Sequence, residues 1–447
     1  MSKTFFGHPR GLATLFFTEM FERFSYYGMR ALLIIFMTTA IVDGGLGFDD
    51  PTSGAIYGLY TMGVYIFALP GGWLADRLFG LKKSVWYGGI IIALGHFTMA
   101  IPGILAEFGL EDVTTTTSTD TVPFFLGLIL IALGTGLLKP NISSIVGELY
   151  TNDSGAKRDA GFSIFYSGIN LGALVAPLIT APLGEFVNWH LGFGAAGLFM
   201  VLGLIQYRLT DKYLAGVGEM PEFNTSEEKE QKNSLQKWLK IILGGAAVVV
   251  LLMFMGLIPI DATSLAEFSG YIIVLTAFGF LGYVLLMGGL NADEKKKVIV
   301  IGIVFVFSAI FWSGFEQAGS TLNLFASRFT DRTLFGFQLA AGTFQSINPM
   351  FIVIFAPIFG AMWVWMARKN LEPSSPVKFS LGLILLGIGF FVMVFAAKVA
   401  ASGELAAPTW LLLTYMFHTF GELSLSPVGL SLTTKLAPKK FYSQMMG

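Results

Sequence analysis

The chain reads as an all-α protein that crosses a lipid bilayer many times, and three observations carry that reading. Apolar residues make up 54% of its 447 positions and charged residues only 13%, about half of the ~25% usual in soluble domains. With a mean hydropathy of +0.69 and 43 Phe, no aqueous fold could hide so much apolar surface behind a charged exterior. Length alone would suggest about three soluble domains, and composition overrules it. The apolar residues also gather into twelve runs, each near the ~20 residues a helix needs to cross ~30 Å of hydrocarbon. Finally, the charges of the intervening loops alternate.

The runs lie at 12–42, 54–78, 83–104, 122–150, 160–184, 188–209, 237–257, 268–289, 297–326, 338–367, 378–400 and 407–436. The first contains Glu19, Glu22, Arg23 and Arg30, which the apolar region of a cleaved leader would not tolerate, so it is read as a mature span. Loops after even-numbered runs, with the N-terminus and adjoining span ends, hold 22 of the 28 Lys and Arg. The opposite loops hold three, Arg328, Arg332 and Lys398, and the stretches 43–50 and 107–120 carry acids without a Lys or Arg. The positive-inside rule then puts the N-terminus in the cytoplasm. Residues 210–236, rich in Glu, Lys, Ser and Asn, read as a cytoplasmic linker after six spans, and 111–121 as a mobile external loop.

Several function classes fall away. A net charge of −1 offers no basic face for nucleic acid. With no Cys there is no disulfide, thiolate metal site or cysteine nucleophile. No phosphate-binding Gly-Lys-Ser/Thr loop, His-Glu-x-x-His or Gly-x-Ser-x-Gly occurs, and four His argue against a histidine metal site. An enzyme is not expected.

What remains is charge inside the membrane. A charged side chain at the bilayer centre costs at least ~2.5–3.5 kcal/mol, so each needs a partner or a water-filled cavity. Glu19, Glu22, Arg23, Tyr26 and Arg30 fall within an arc of roughly 100° on one helix and make a polar stripe about 16 Å long. Two readings follow, structural ion pairs or a water-accessible path, and two acids with two bases on one face favour the path. Lys139, in Leu137-Leu138-Lys139-Pro140-Asn141, lies too deep to snorkel and needs an acid, Glu19 or Glu22. Trp312, Phe315, Glu316 and Gln317 cluster in the ninth run. In the twelfth, His418, Glu422 and Ser426 share a face at i, i+4, i+8. There His418 reads as a packing residue and Glu422 as a functional carboxylate.

Several motifs carry a resemblance. Gly71-Gly72-Trp73-Leu74-Ala75-Asp76-Arg77-Leu78-Phe79-Gly80 with Lys82-Lys83 resembles the loop between spans two and three of the major facilitator superfamily. Glu19-Met20-Phe21-Glu22-Arg23-Phe24 resembles the Glu-x-x-Glu-Arg-Phe/Tyr motif of the proton-dependent oligopeptide transporters, and Ser25-Tyr26-Tyr27-Gly28 continues it. Phe162–Leu174, Lys139-Pro140-Asn141, Phe315-Glu316-Gln317 and Gly421–Pro427 are similar to that family's motifs in the expected order. The resemblance implies a major facilitator fold of two six-helix bundles with an inserted pair of helices, as bacterial members carry. The division would be 1–209 for the first bundle, 210–236 for the linker, 237–289 for the hairpin and 290–447 for the second bundle. Two features depart from the pattern. The family calls for two further spans after 407–436, so the second bundle is expected to be incomplete in this chain. Gly58 stands roughly where some relatives place a His.

By the same resemblance the expected activity is proton-coupled symport of di- and tripeptides, with protons as the coupling ion and no cofactor or metal. Arg30 and Lys139 would bind the peptide carboxylate, and Glu422, with Asn170 and Asn348, the amino terminus. Tyr26, Tyr27, Tyr65, Tyr166, Trp312, Phe315 and Ser426 would line the pocket, although any one aromatic could equally be core. Asp76 and Arg77 would gate the cytoplasmic side. Glu19, Glu22, Arg23 and Glu316 would couple the proton, protonation of Glu316 releasing Arg30 and that of Glu22 releasing Lys139. The competing reading is a transporter of nitrate, drugs or other small solutes on the same fold. The oligomeric state is left open.

Overall fold

The structure, a computed structural model, describes residues 4–107, 118–151, 155–220, 225–257, 261–438, 441 and 445. The predicted external loop 111–121 lies largely outside the described residues. The chain divides into two compact units, Met1–Leu265 and Ala266–Gly447. The first contains α1 (Arg10–Thr38), α2 (Asp50–Ile66), α3 (Ala68–Leu74), α4 (Leu81–Glu107), α5 (Ser118–Glu148), α6 (Gly155–Phe186), α7 (Trp189–Thr210) and α8 (Ser226–Phe254). The boundary falls in the first turn of α9 (Ala262–Met287). The second unit continues with α10 (Ala292–Phe315), α11 (Thr321–Phe329), α12 (Ile347–Arg368), α13 (Ser375–Ala401) and α14 (Pro408–Leu436).

Every predicted run meets a helix, and among the described residues ten helical stretches are long and apolar enough to cross a membrane. The interior charges of α1 keep it from being counted. Four runs end or break differently from expectation. The first stops at Thr38, where the backbone of Thr39 turns extended. The second is interrupted at Phe67 and finishes in a π-helical turn, Ala75–Phe79. Pro70 brings no N–H to the helical ladder there, which weakens the turn around it. The ninth breaks into a 3₁₀ turn, Glu316–Gly319, and restarts at Thr321 after Ser320 leaves helical geometry. The tenth begins only at a 3₁₀ segment, Ala341–Ser346. Ahead of it stands a small hairpin that periodicity did not foresee, β1 (Thr333–Leu334) against β2 (Phe337–Gln338), antiparallel with Thr333 opposite Gln338.

In the first unit Leu12, Leu15, Leu138, Ile142, Phe165, Met200 and Leu204 belong to one buried core. Twenty-one of the 29 residues of α1 are buried, so this helix is enclosed on nearly every side. In the second unit Phe311, Phe379, Leu386, Leu425 and Val428 form a separate core. Elsewhere large apolar side chains face outward, including Trp238, Ile242 and Leu243 of α8 and Leu275 of α9, as suits a lipid solvent.

Candidate functional site

The charged stripe of α1 is the centre of the first unit. Arg23 stands between two carboxylates, its Nε donating to Glu22 Oε2 and lying 3.2 Å from Glu19 Oε1. Glu22 has no exposed surface and Arg23 is 3% exposed, so bulk water cannot reach this triad in the conformation seen. Glu19 Oε2, Glu22 Oε1 and Arg23 Nη2 have no hydrogen-bond partner. Buried polar atoms left so are rare and mark strain or function.

Glycine brings α6 onto this helix. A Cβ at Gly172 would lie 2.2 Å from the Met20 carbonyl oxygen and 3.1 Å from Arg23 Cβ, so only a glycine lets the backbones touch there. The contact sets Tyr166 of α6 within electrostatic reach of Glu19. Asn170, one turn on, donates to the Tyr166 carbonyl at 3.1 Å.

Two further cations rest on tyrosines. Arg30 Nε donates to the Tyr57 hydroxyl at 2.7 Å, and its guanidinium lies 5.8 Å from the centre of the Tyr27 ring. Lys139 of α5 sets its Nζ 4.6 Å from the centre of the Tyr65 ring, a cation–π contact, and acts electrostatically on Glu19. Its helix is fixed by the residues that follow. Pro140 supplies no N–H to the Gly136 carbonyl, and Gly71 of α3 packs directly on that oxygen. The Asn141 amide donates to the carbonyls of Leu137 at 2.6 Å and Gly71 at 3.3 Å. Tyr26 stacks on Tyr60 with 6.3 Å between ring centres. The first unit therefore gathers Glu19, Glu22, Arg23, Tyr26, Tyr27, Arg30, Tyr65, Lys139 and Tyr166 around α1.

In the second unit, Asn348 of α12 donates to Glu422 Oε2 at 3.1 Å, and its amide nitrogen also lies 3.0 Å from Thr419 Oγ1. Glu316 opens the 3₁₀ turn that breaks the ninth span and acts electrostatically on Glu422. Trp312 and Phe315 pack against the second core and are half-buried, with ring centres 5.2 Å apart. His418 is buried beside Phe390 at 4.8 Å, the surroundings of a packing histidine. Ser426 is exposed on α14.

Asp76 and Arg77 are both exposed on the π-helical turn. The contacts belong to their neighbours. The Lys82 N–H donates to the Gly218 carbonyl at 2.9 Å and its ammonium to Glu219 at 2.6 Å, while the Gly218 N–H donates to Glu148 at 2.7 Å. Gly80, at φ 75°, leaves no room for a Cβ, which would lie 2.7 Å from the Met220 backbone. The hydrogen bond from Lys82 holds the Glu219 carboxyl below its ordinary range.

Among the described residues no group of three or more His, Asp and Glu could hold a metal ion. The charged groups of these spans are thus two cations beside tyrosine rings, a carboxylate–arginine triad and a separate carboxylate on an amide. The model of the POT family, the proton-dependent oligopeptide transporters, matches residues 82–447. The chain belongs to that family. It is accordingly a membrane transporter, not an enzyme. An uncharacterized transporter of Bacillus subtilis is 44% identical over 99% of this chain and 85% of its own. A di-/tripeptide transporter of Lactococcus lactis subsp. lactis is 39% identical over 99% of this chain and 86% of its own. A crystal structure of a peptide transporter of the family in complex with sulfate superposes with a TM-score of 0.87 at 41% identity, over 99% of this chain and 86% of that one.

Sequence reasoning passed over Tyr57, which bonds to Arg30, and Tyr60, which stacks on Tyr26. Their i, i+3 spacing on the span that opposes α1 was the available signal. It also missed Thr419, beside Asn348, and the clasp of Glu148, Gly218 and Glu219 on the linker, for which contact order left no local trace.

Proposed function

We propose that the protein is a proton-coupled symporter that imports di- and tripeptides through a plasma (inner) membrane, its N-terminus in the cytoplasm. The donor set carries this reading. Arg30 and Lys139 supply cations for a carboxylate, and Glu422 on Asn348 supplies an anion for an ammonium, so the ligand they suit has fixed opposite charges at its ends. Half-exposed Tyr65 and Tyr166, with Tyr27, offer aromatic walls that tolerate varied side chains. Transport of nitrate or another amine-free anion would leave Glu422 no counter-charge.

Alternating access would use a first bundle, 1–209, and a second, 290–447, with 210–236 as linker and 237–289 as an inserted hairpin. Coupling rests on the α1 triad and Glu316. One arginine between two carboxylates leaves one negative charge over, and a proton can fill that place. Its arrival at Glu22 or Glu316 weakens a hold on a cation, which frees Lys139 or Arg30 to change partner. Protons are the coupling ion and no other cofactor is called for. The oligomeric state forms no part of the proposal.

The test is uptake of a labelled dipeptide into liposomes under an imposed inward pH gradient. Accumulation is expected, with competition by tripeptides and weak competition by N-acetylated dipeptides, free amino acids and nitrate. Equal competition by nitrate would replace peptide with anion transport.

A further inference from the structure

The first unit holds a cavity of about 490 Å³ that takes no residue from α1, Arg30 or Lys139. Ile56, Leu59 and Gly63 of α2 and Phe125 and Ile129 of α5 form its bundle wall. Val250 and Met253 at the end of α8, with Ala262 and Leu265 in the first turn of α9, close it from the other side. Tyr60 and Thr121 are the polar side chains that reach it.

Something must fill this space. The cleft is apolar and only partly enclosed, and wall atoms with nothing packed against them forfeit their dispersion contacts. Water is a poor occupant, since each buried molecule wants about two to four polar partners and the lining offers two hydroxyls. No side chain among the described residues fills it. Among its described residues α8 buries no side chain, and α9 buries Val284 alone, far from the cavity. The walls lie in the first half of α5, the last turn of α8 and the first turn of α9, at the end of the bundle away from the N-terminus. At that depth the surrounding solvent is hydrocarbon.

We infer that the cavity binds one acyl chain of a membrane phospholipid, drawn from the leaflet on that side. The gain comes from dispersion contacts that an unfilled wall forfeits, because lipid and apolar side chains are otherwise equivalent solvents. Tyr60 links the occupant to the charged site, since its ring lines the cavity and stacks on Tyr26. The bound chain thus mortars the end of α8 and the first turn of α9 to α2 and α5.

The experiment uses the full chain in vesicles of phosphatidylethanolamine doped with a phosphatidylglycerol whose acyl chain carries a diazirine. After irradiation, adducts are mapped by mass spectrometry. Labelling several-fold higher at Phe125, Ile129, Val250 and Met253 than at outward-facing Leu251 and Phe268 is expected. Val250→Trp and Ala262→Trp, each made separately at a site that supports little of the fold, should lower the Phe125 and Ile129 adducts several-fold. Labelling at Leu251 and Phe268 should stay unchanged. Monodisperse elution verifies folding, and either variant suffices if the other misfolds. Equal labelling of both sets, or enrichment that neither tryptophan reduces, would overturn the site. Displacement of the adducts by a saturating dipeptide would also overturn it, by assigning the cavity to substrate.

Discussion

In the first unit, α1 carries Glu19, Glu22, Arg23 and Arg30 inside a helix enclosed on nearly all sides, and Arg23 meets both acids directly. In the second unit, Glu422 accepts a hydrogen bond from an amide, and Glu316 stands where a span breaks its helix. The residue type is the same and the setting is not. A carboxylate bonded to an arginine has spent its charge within the fold, and removing either partner strands the other in a dry place. A carboxylate bonded to a neutral amide is positioned without spending its charge on a cation of the fold, and in the proposed reading that charge meets the ligand. The first arrangement couples function to folding; the second separates them. That difference can be broken experimentally.

The largest expected effect is on stability. Arg23→Ala leaves two carboxylates buried without their cation, a loss of about 3–5 kcal/mol for a broken buried pair. Asn348→Ala removes one hydrogen bond to a charged group, about 1.5–3 kcal/mol. Thermal unfolding in detergent, read by elution of the folded fraction, should rank wild type above Asn348→Ala and that above Arg23→Ala. Equal stability of the two variants would mean that the α1 triad is solvated after all.

Next comes binding. Arg30→Ala and Lys139→Ala should each cost about 2–5 kcal/mol of peptide affinity, which is ~30-fold or more and abolishes measurable uptake. Glu422→Gln keeps the shape of its site, and should narrow the preference for a native over an N-acetylated dipeptide. Competition assays in proteoliposomes give both numbers. An unchanged preference would make Glu422 a helix contact, and the second unit would then resemble the first.

The sequence made the twelve spans legible because hydropathy and loop charge are one-dimensional signals that bilayer thickness imposes directly. The stripe of α1 was equally plain, since helical periodicity puts Glu19, Glu22, Arg23, Tyr26 and Arg30 on one face. Its electrostatic link to Lys139 followed from the need for an acid. What was not legible depends on contacts between distant segments. Tyr57 beside Arg30 and Gly218 on Lys82 leave no periodic trace, because a partner on a distant segment decides them, and the break at Glu316–Ser320 leaves none either. The roles of Trp312 and Phe315 stayed open for the same reason. An aromatic on a span looks alike whether it packs on Phe311 and Leu386 or faces a ligand, and these two do pack on that core.

Coupling offers a subtler contrast, since it alters no ground-state contact with the ligand. Glu22→Gln and Glu316→Gln preserve size and hydrogen bonding. Each should retain exchange of labelled for unlabelled peptide across a liposome while losing uphill uptake driven by a pH gradient. Glu22→Gln should also destabilise the protein, because Arg23 keeps only Glu19; Glu316→Gln should not. Gradient-driven accumulation by both variants would refute the assignment and turn attention to His418 or Asp76. Loss of exchange in both would make them bundle supports.

The smallest expected effect sharpens the comparison from outside the membrane. Lys82 and Glu219 form an ion pair at 2.6 Å with the Glu219 side chain 59% exposed, so the chemistry of the Arg23 triad is repeated in water. Such a pair contributes about 0–1 kcal/mol and is screened by salt. Its pH dependence has a definite sign. The hydrogen bond from Lys82 holds the folded carboxyl below its ordinary 4.5, so the stabilisation is complete above about that pH. It fades as pH falls through the lower folded value, where the carboxylate takes up its proton. Glu219→Gln should therefore unfold slightly more easily than wild type at pH 7. The gap should close in high salt and again in acid, whereas the deficit of Arg23→Ala should survive high salt because no counterion reaches it. A large, salt-independent loss for Glu219→Gln would show that the glutamate anchors the Gly218–Lys82 backbone clasp rather than decorating it. The linker would then belong with α1, among the regions where charge is spent on the fold.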